Sequence, residues 1–286
     1  MLEFCLWFFV FYCWHIFGIT IGLHRLLGHR AFRCPKFVEY FFVGAAYLAF
    51  QGSPVWWATI HRAHHRYVDT PLDPHAPKTK GWFAAYAFYT DMRYPAHINP
   101  AVQSKDLLKD PLYAFLETKD DSWHRGYALN VGLSLLFRVA LWVAFGPIIA
   151  AASLLAGMVA WNVPLFLNVF CHIPKLGYKN FALKDDSVNV WWMAAICAGE
   201  GWHNNHHKYP ASSRSGLTKW EIDPSWLVLK MLMRVGLVSY MNEKLVEGND
   251  DQDHSVLPVS GPVSLPVPVA VPVTSAVVRK DPAGVV

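Results

Sequence analysis

The chain has 286 residues, 53% hydrophobic and 15% aromatic, and its 16% of charged residues falls well below the quarter or so typical of a soluble domain. That balance, with 13 Trp, excludes an ordinary soluble domain and fits a protein whose surface meets the lipid–water boundary. A net charge of +4 without a long basic run speaks against a nucleic-acid partner.

Residues 2–23 are apolar over about the length needed to cross a bilayer and lack the cleavage site of a signal peptide. Arg25, Arg30, Arg33 and Lys36 follow, which places this end in the cytoplasm by positive-inside asymmetry. Residues 37–60 are apolar but interrupted by Glu39, Gln51, Gly52 and Pro54. A polar loop runs to about residue 81, and 82–89 are too few to cross. After a charged linker over roughly 91–125, the apolar region 126–170 is too long for one span. Gly146-Pro147 divides it, which predicts two antiparallel helices joined by a tight turn. Arg138, inside the first of them, must face protein or snorkel. Residues 188–198 and 225–238 predict short interfacial or buried helices, Lys230 and Arg234 sharing one face of the second. From Ser255 the chain repeats Pro and Val, so residues 251–286 are expected to form a disordered tail after a domain over 1–250. Cys5, Cys13, Cys34, Cys171 and Cys197 form no C-x-x-C pair and read as reduced, buried thiols.

Histidine is the outlier, with 14 copies, most of them in tight groups. His24 and His29 lie in HRLLGHR, His61, His64 and His65 in HRAHHR, and His203, His206 and His207 in GEGWHNNHH. In H-x-x-H-H, positions i, i+3 and i+4 share one helical face, so three imidazoles converge on one region. Three imidazoles on one turn gain nothing as core, so the pattern, occurring twice, points to metal. His24 and His29 are five apart, roughly 140° around an α-helix. They serve one site only if the helix ends near Gly28, and otherwise bind different metals. Eight clustered imidazoles, or nine with His172, exceed one tetrahedral zinc, so two metals are the economical reading. Ligand type leaves zinc, iron, copper and nickel open. The clusters meet only on one side of a membrane, so an even number of crossings separates them. The helix pair in 126–170 supplies two, and 37–60 is therefore expected to lie in the interface or re-enter. Lone His15, His97, His124 and His254 read as structural. Asp185, Asp186, Glu200 and Asp223 are candidates for orienting ligand imidazoles, the alternative being ordinary solvated carboxylates.

Around the clusters the chain resembles the membrane fatty acid desaturases, specifically the delta-9 acyl-CoA (stearoyl-CoA) branch. The stretches that carry the resemblance are GITIGLHRLLGHRAF (18–32), QGSPVWWATIHRAHHRYVDTPLDPH (51–75), GEGWHNNHHKYP (199–210) and WEIDP (220–224), and ordered similarity runs from about residue 15 to 240. The resemblance implies an all-α integral membrane fold, with about three transmembrane helices here and four in the family. A cytoplasmic helical cap holds a histidine-rich di-iron site. With about 23 residues ahead of the first histidine box, the first family helix is expected to be absent or truncated. The implied ligands are His24, His29, His61, His64, His65, His172, His203, His206 and His207, with Asn168 holding a metal-bound water. Gln51 and Trp57 match positions that shape a kinked acyl tunnel.

The implied reaction uses two ferrous ions and dioxygen to take two hydrogens from neighbouring methylenes of a saturated acyl chain, leaving a cis double bond, at delta-9 by resemblance. The substrate is a long-chain acyl-CoA or acyl-lipid. Electrons come from an external donor, a ferredoxin or a b-type cytochrome with an NAD(P)H reductase. Arg33, Lys36, Lys78, Lys80 and Arg93 are available to a CoA head, as in any positive-inside protein. A related histidine-box lipid or alkane hydroxylase shares the metal centre. A non-catalytic metal transporter would line its spans with polar groups, and the long apolar region has only Asn130, Arg138, Asn162 and a few Ser.

Overall fold

The computed structural model describes residues 1–88, 93–117 and 123–243; the expected tail at 251–286 lies outside them, as do the side chains of His124 and His254. Among the described residues, three helices are long and apolar enough to cross a membrane: Leu2–Gly28, Arg125–Phe145 and Pro147–Phe170. The first begins as α1 (Leu2–Phe17) and continues as a π-helix over Gly18–Gly28. The other two are α8 (Trp123–Phe145) and α9 (Pro147–Phe170), the expected hairpin. Gly146 joins them at φ 91°, a backbone region that only glycine enters freely, and Pro147 starts α9 where its missing N–H leaves no bond unmade.

Residues 37–60 fold as two helices, α2 (Lys36–Tyr47) and α3 (Pro54–Tyr67), separated by a break at 48–53. At about 18 Å, α2 is too short to cross a bilayer. Its C-terminal end is bonded to side chains on two of the long helices, His15 on the first and Asn130, Ser134 and Arg138 on α8, and Gln51 in the break donates to Ala160 O on α9. Gly18 lets α2 approach: a Cβ there would sit 2.5 Å from Ala46 N and 2.7 Å from Phe42 O. Gly18→Ala is therefore expected to lower thermal stability in detergent by about 1–3 kcal/mol, the usual range for overpacking.

The N-terminus of α3 is strongly fixed. Ser53 Oγ accepts the Val55 N–H at 3.1 Å, Pro54 occupies the first turn, and the buried Glu117 carboxylate accepts the Trp56 N–H at 3.1 Å and the Ser53 hydroxyl. The Glu117 side chain comes from just beyond α7 (Pro111–Leu116).

Beyond α9 lie the short helices α10 (Trp191–Ile196), α11 (His203–Lys208) and α12 (Pro224–Arg234). On α12, Trp226 stacks between Arg214 and Lys230, 4.3 and 4.4 Å from the ring centre. The departures from an all-helical fold among the described residues are two isolated bridges at Asn189 and a two-stranded antiparallel ladder, Phe32–Arg33 with Tyr240–Met241, which ties the end of the described chain to the first histidine box. All five cysteines are free, but only Cys171 and Cys197 are buried. Cys5 is exposed because it lies on an outward face of a spanning helix, where apolar residues face lipid rather than core.

Candidate metal centre

The nine histidines sort into two groups. His24, His29, His61, His65 and His206 place one ligand atom each within 4.8 Å of one another, and so do His64, His172, His203 and His207. Within the first group, Nε2 of His29 lies 2.6 Å from that of His61, and Nε2 of His206 lies 3.1 Å from His24 and 2.9 Å from His65. In the second, His203 Nε2 lies 3.1 Å from His172 and 3.0 Å from His207. Nitrogens bound to one metal at about 2.0–2.1 Å stand roughly 3 Å apart at neighbouring vertices, so these spacings suit a shared ion.

The two H-x-x-H-H turns interlock. On α3, His61 and His65 join the first group and His64 the second, whereas on α11 His203 and His207 join the second group and His206 the first. Positions i and i+4 differ by about 40° around a helix, while i+3 lies about 100° from i+4, so one turn can serve two neighbouring groups. Each turn therefore contributes to both.

The sequence arithmetic set His24 and His29 on different faces unless the helix ended. The helix does end at Gly28, and its last stretch is π-wound, with the His29 N–H bonded to His24 O at 3.1 Å. A bond across five residues sets positions i and i+5 over one another, so both imidazoles reach the same group.

Carboxylates grip the other side of the rings. His64 Nδ1 donates to Asp73 Oδ2 at 2.9 Å and His172 Nδ1 to Asp69 at 3.3 Å; His24 Nδ1 lies 2.7 Å from Glu200 and His207 Nδ1 3.5 Å from Asp185. Such contacts fix the tautomer that leaves Nε2 free for metal. Glu200 and Asp185 were candidates on sequence; Asp186 pairs instead with Lys78, and Asp223 with Arg25. Asp69 and Asp73 escaped sequence reasoning, although the spacing of DTPLDPH just after α3 could have suggested them. Burial would raise the Asp73 carboxyl, but the His64 imidazole outweighs it and holds the group well below the usual carboxylate range. Burial, reinforced by neighbouring imidazoles, pushes His29, His61, His65, His203, His206 and His207 well below their ordinary value, so they stand neutral with lone pairs available. Asp73→Asn is expected to lower metal affinity or turnover by roughly 10–100-fold, read by metal content and activity of the purified protein.

Two arginines knit the boxes together. Arg25, 1% exposed, donates to Glu200 at 2.9 Å, Asp223 at 3.0 Å and Ser213 O at 2.7 Å. Arg62 donates to Leu27 O, Gly28 O and both oxygens of Asp106, and Arg30 also pairs with Asp106. Arg25, Arg30 and Arg62 are thus each paired with a carboxylate, whereas Arg33 and Arg66 form no ion pair among the described residues.

Both groups open onto one cleft of about 40 Å³, lined by His24 and His61 of the first group, His203 of the second, the polar Thr20, Asn168 and Glu200, Trp57, and apolar Ile16, Ile19, Val163 and Leu167. Asn168 is buried with its Nδ2 unpartnered, a fit for a water in the cleft that the two groups share. Trp57 stacks on His61 at the cleft wall. Gln51 lies one layer further on and donates to Ala160 O at 3.5 Å, the carbonyl left without its helical partner by Pro164. Donor number and neutral, oriented imidazoles fit two transition-metal ions better than one zinc.

The profile of the fatty acid desaturase family matches residues 3–224. An acyl-CoA C20 delta-5 desaturase of Anemone leveillei is 37% identical over 227 residues, covering 78% of this chain and 69% of the relative. An sn-1 stearoyl-lipid 9-desaturase of Anabaena variabilis is 36% identical over 234 residues, covering 80% and 79%, and delta-9 acyl-lipid desaturase 2 of Arabidopsis thaliana is 35% identical over 233 residues, covering 81% and 72%.

Proposed function

The chain belongs to the fatty acid desaturase family, an oxidoreductase group acting on fatty acyl chains, and from that premise we propose that it introduces a cis double bond, at delta-9, into a saturated long-chain acyl-CoA or acyl-lipid. The observation that carries this reading is the convergence of both imidazole groups on a single cleft whose wall, apart from Thr20, Asn168 and Glu200, is otherwise apolar. Such a wall holds a methylene chain by burial alone and excludes water from it.

When bound, two iron ions supply the oxidation with dioxygen and electrons from an external donor, a ferredoxin or a b-type cytochrome with its reductase. His24, His29, His61, His65 and His206 hold one ion; His64, His172, His203 and His207 hold the other, with Asn168 on a water. The rest is positioning. Trp57 presses on His61 and the chain together, while Gln51 secures the Pro164 kink of α9 that shapes the cleft further on. The centre faces the cytoplasm in this reading, supported by Arg33 and Arg66 near the boxes.

The test is expression in a host lacking its own desaturase, with fatty acids read by mass spectrometry after derivatising double bonds. A new monounsaturated acid is the expected result; a hydroxylated one would instead assign the chain to the hydroxylases. Purified protein offered acyl-CoA or acyl-lipid separately, with either donor, identifies carrier and donor.

A further inference from the structure

A cation inside an apolar span demands a reason, and Arg138 has one that the metal centre does not use. It is 5% exposed, about 20 Å along the helix from Arg125 at the usual helical rise, near the middle of the three long helices. The end of α2 reaches the same depth. An α-helix leaves its last carbonyls unbonded and carries partial negative charge at that end, and lipid offers neither water nor counter-charge.

One face of α8 meets that need. Asn130, Ser134 and Arg138, spaced at i, i+4 and i+8, point at the α2 terminus. Asn130 Nδ2 donates to Tyr47 O at 2.8 Å and Ser134 Oγ to the same oxygen at 3.3 Å. Arg138 Nη1 donates to Leu48 O at 2.5 Å. His15 completes the set: its Nδ1 donates to Ala45 O at 2.7 Å, since a carbonyl only accepts, which leaves Nε2 to accept from Arg138 Nη2 at 3.3 Å. Asn130 Oδ1 also accepts the Gly52 N–H at 3.3 Å, holding the far side of the break. Phe50, in the left-handed region at φ 61°, lies with its ring 5.2 Å from the Arg138 carbon, and Gly157 leaves room for the guanidinium, where a Cβ would stand 2.5 Å from Nη2. A bulky residue at φ 61° is a strained conformation that persists only where its surroundings impose it.

We propose that Arg138, with His15 as its relay, is a positioning residue: it neutralises and bonds the buried end of α2, and so fixes the 48–53 break from which α3 carries His61, His64 and His65 to the metals. It acts through the break, touching neither metal ligand nor cleft. The same break carries Gln51, so its displacement alters the path of the acyl chain as well as the ligands.

The experiment compares wild type, Arg138→Lys, Arg138→Met and His15→Phe by amide hydrogen exchange of the peptide covering 44–53 in detergent, and by the spread of chain lengths and double-bond positions in the products. Loss of a charge-assisted bond from Arg138→Met is expected to speed exchange of the Leu48, Ala49, Phe50 and Gly52 amides by roughly tenfold or more while Arg138→Lys stays near wild type. His15→Phe, apolar and similar in size, is expected to speed exchange at Leu48 to Phe50 alone. Products should broaden in the same order, a change that general loss of fold would not produce. Unchanged exchange in Arg138→Met or in His15→Phe, or a Lys variant as damaged as the Met variant, overturns the proposal; should Arg138→Met not fold, the His15 and Lys variants decide. The product readout rests on the desaturase reading, but the exchange readout does not, so an inactive wild type with the expected exchange pattern would sink only the former.

Discussion

Wild-type protein purified with its metal is expected to hold about two iron ions per chain, and His203→Ala about one, with product formation reduced by roughly a hundredfold or more, beyond what loss of a ligand's supporting partner costs. His203 stands in the group of four imidazoles with His64, His172 and His207, so its removal leaves three ligands there and five in the other group. The five-imidazole site should keep its ion. His29→Ala is the mirror experiment: it thins the first group and leaves the second at four. His97, exposed and bonded through Nε2 to Leu72 O, is the control and should change neither iron content nor product. Equal loss of both ions from either variant would contradict two separable groups, and a His203→Ala enzyme with wild-type lipids would remove the metal centre from the chemistry altogether.

The grouping of the histidines was legible because metal binding demands a residue type, and histidine in i, i+3, i+4 triplets has no better use. The hairpin of α8 and α9 was legible for a similar reason: length, hydropathy and Gly146-Pro147 all point the same way. The partition of ligands was not. It depends on how α3 and α11 face each other, and on a π-wound turn at Gly18–Gly28 that an α-helical wheel misplaces by most of half a turn. Arginine partners were the least legible. On sequence, Arg25 and Arg30 count as positive charge beside the membrane, yet each finds a carboxylate only through tertiary contact: Glu200 is 175 residues from Arg25. Charge partners across that separation leave no local pattern to read. Arg138 is the reverse case, since its cost in lipid announced a partner and the carbonyls of α2 supply it.

Arg25→Met is expected to destabilise the protein by about 3–5 kcal/mol, because it strands two buried carboxylates without their cation. Glu200 is 5% and Asp223 2% exposed, and one guanidinium serves both. Burial alone would raise the Glu200 carboxyl; Arg25 and then His24 hold it below its ordinary value, so it is a carboxylate at neutral pH. Two further contacts depend on the pair. Glu200 Oε2 lies 2.7 Å from His24 Nδ1, and Asp223 accepts the N–H groups of Trp226 and Ser215, capping α12 and closing the loop after the third histidine box. Stability and metal binding separate in the triple variant Arg25→Met, Glu200→Gln, Asp223→Asn. With no charge left to bury, most of the lost stability should return in a denaturation series, as it does when a buried ion pair is replaced whole. Turnover should stay depressed, because a neutral amide holds the His24 ring less firmly than a carboxylate and leaves Nε2 a poorer ligand. Recovery of both together would mean that Arg25 only balances charge; recovery of stability alone assigns the Arg25–Glu200–His24 line to the metal.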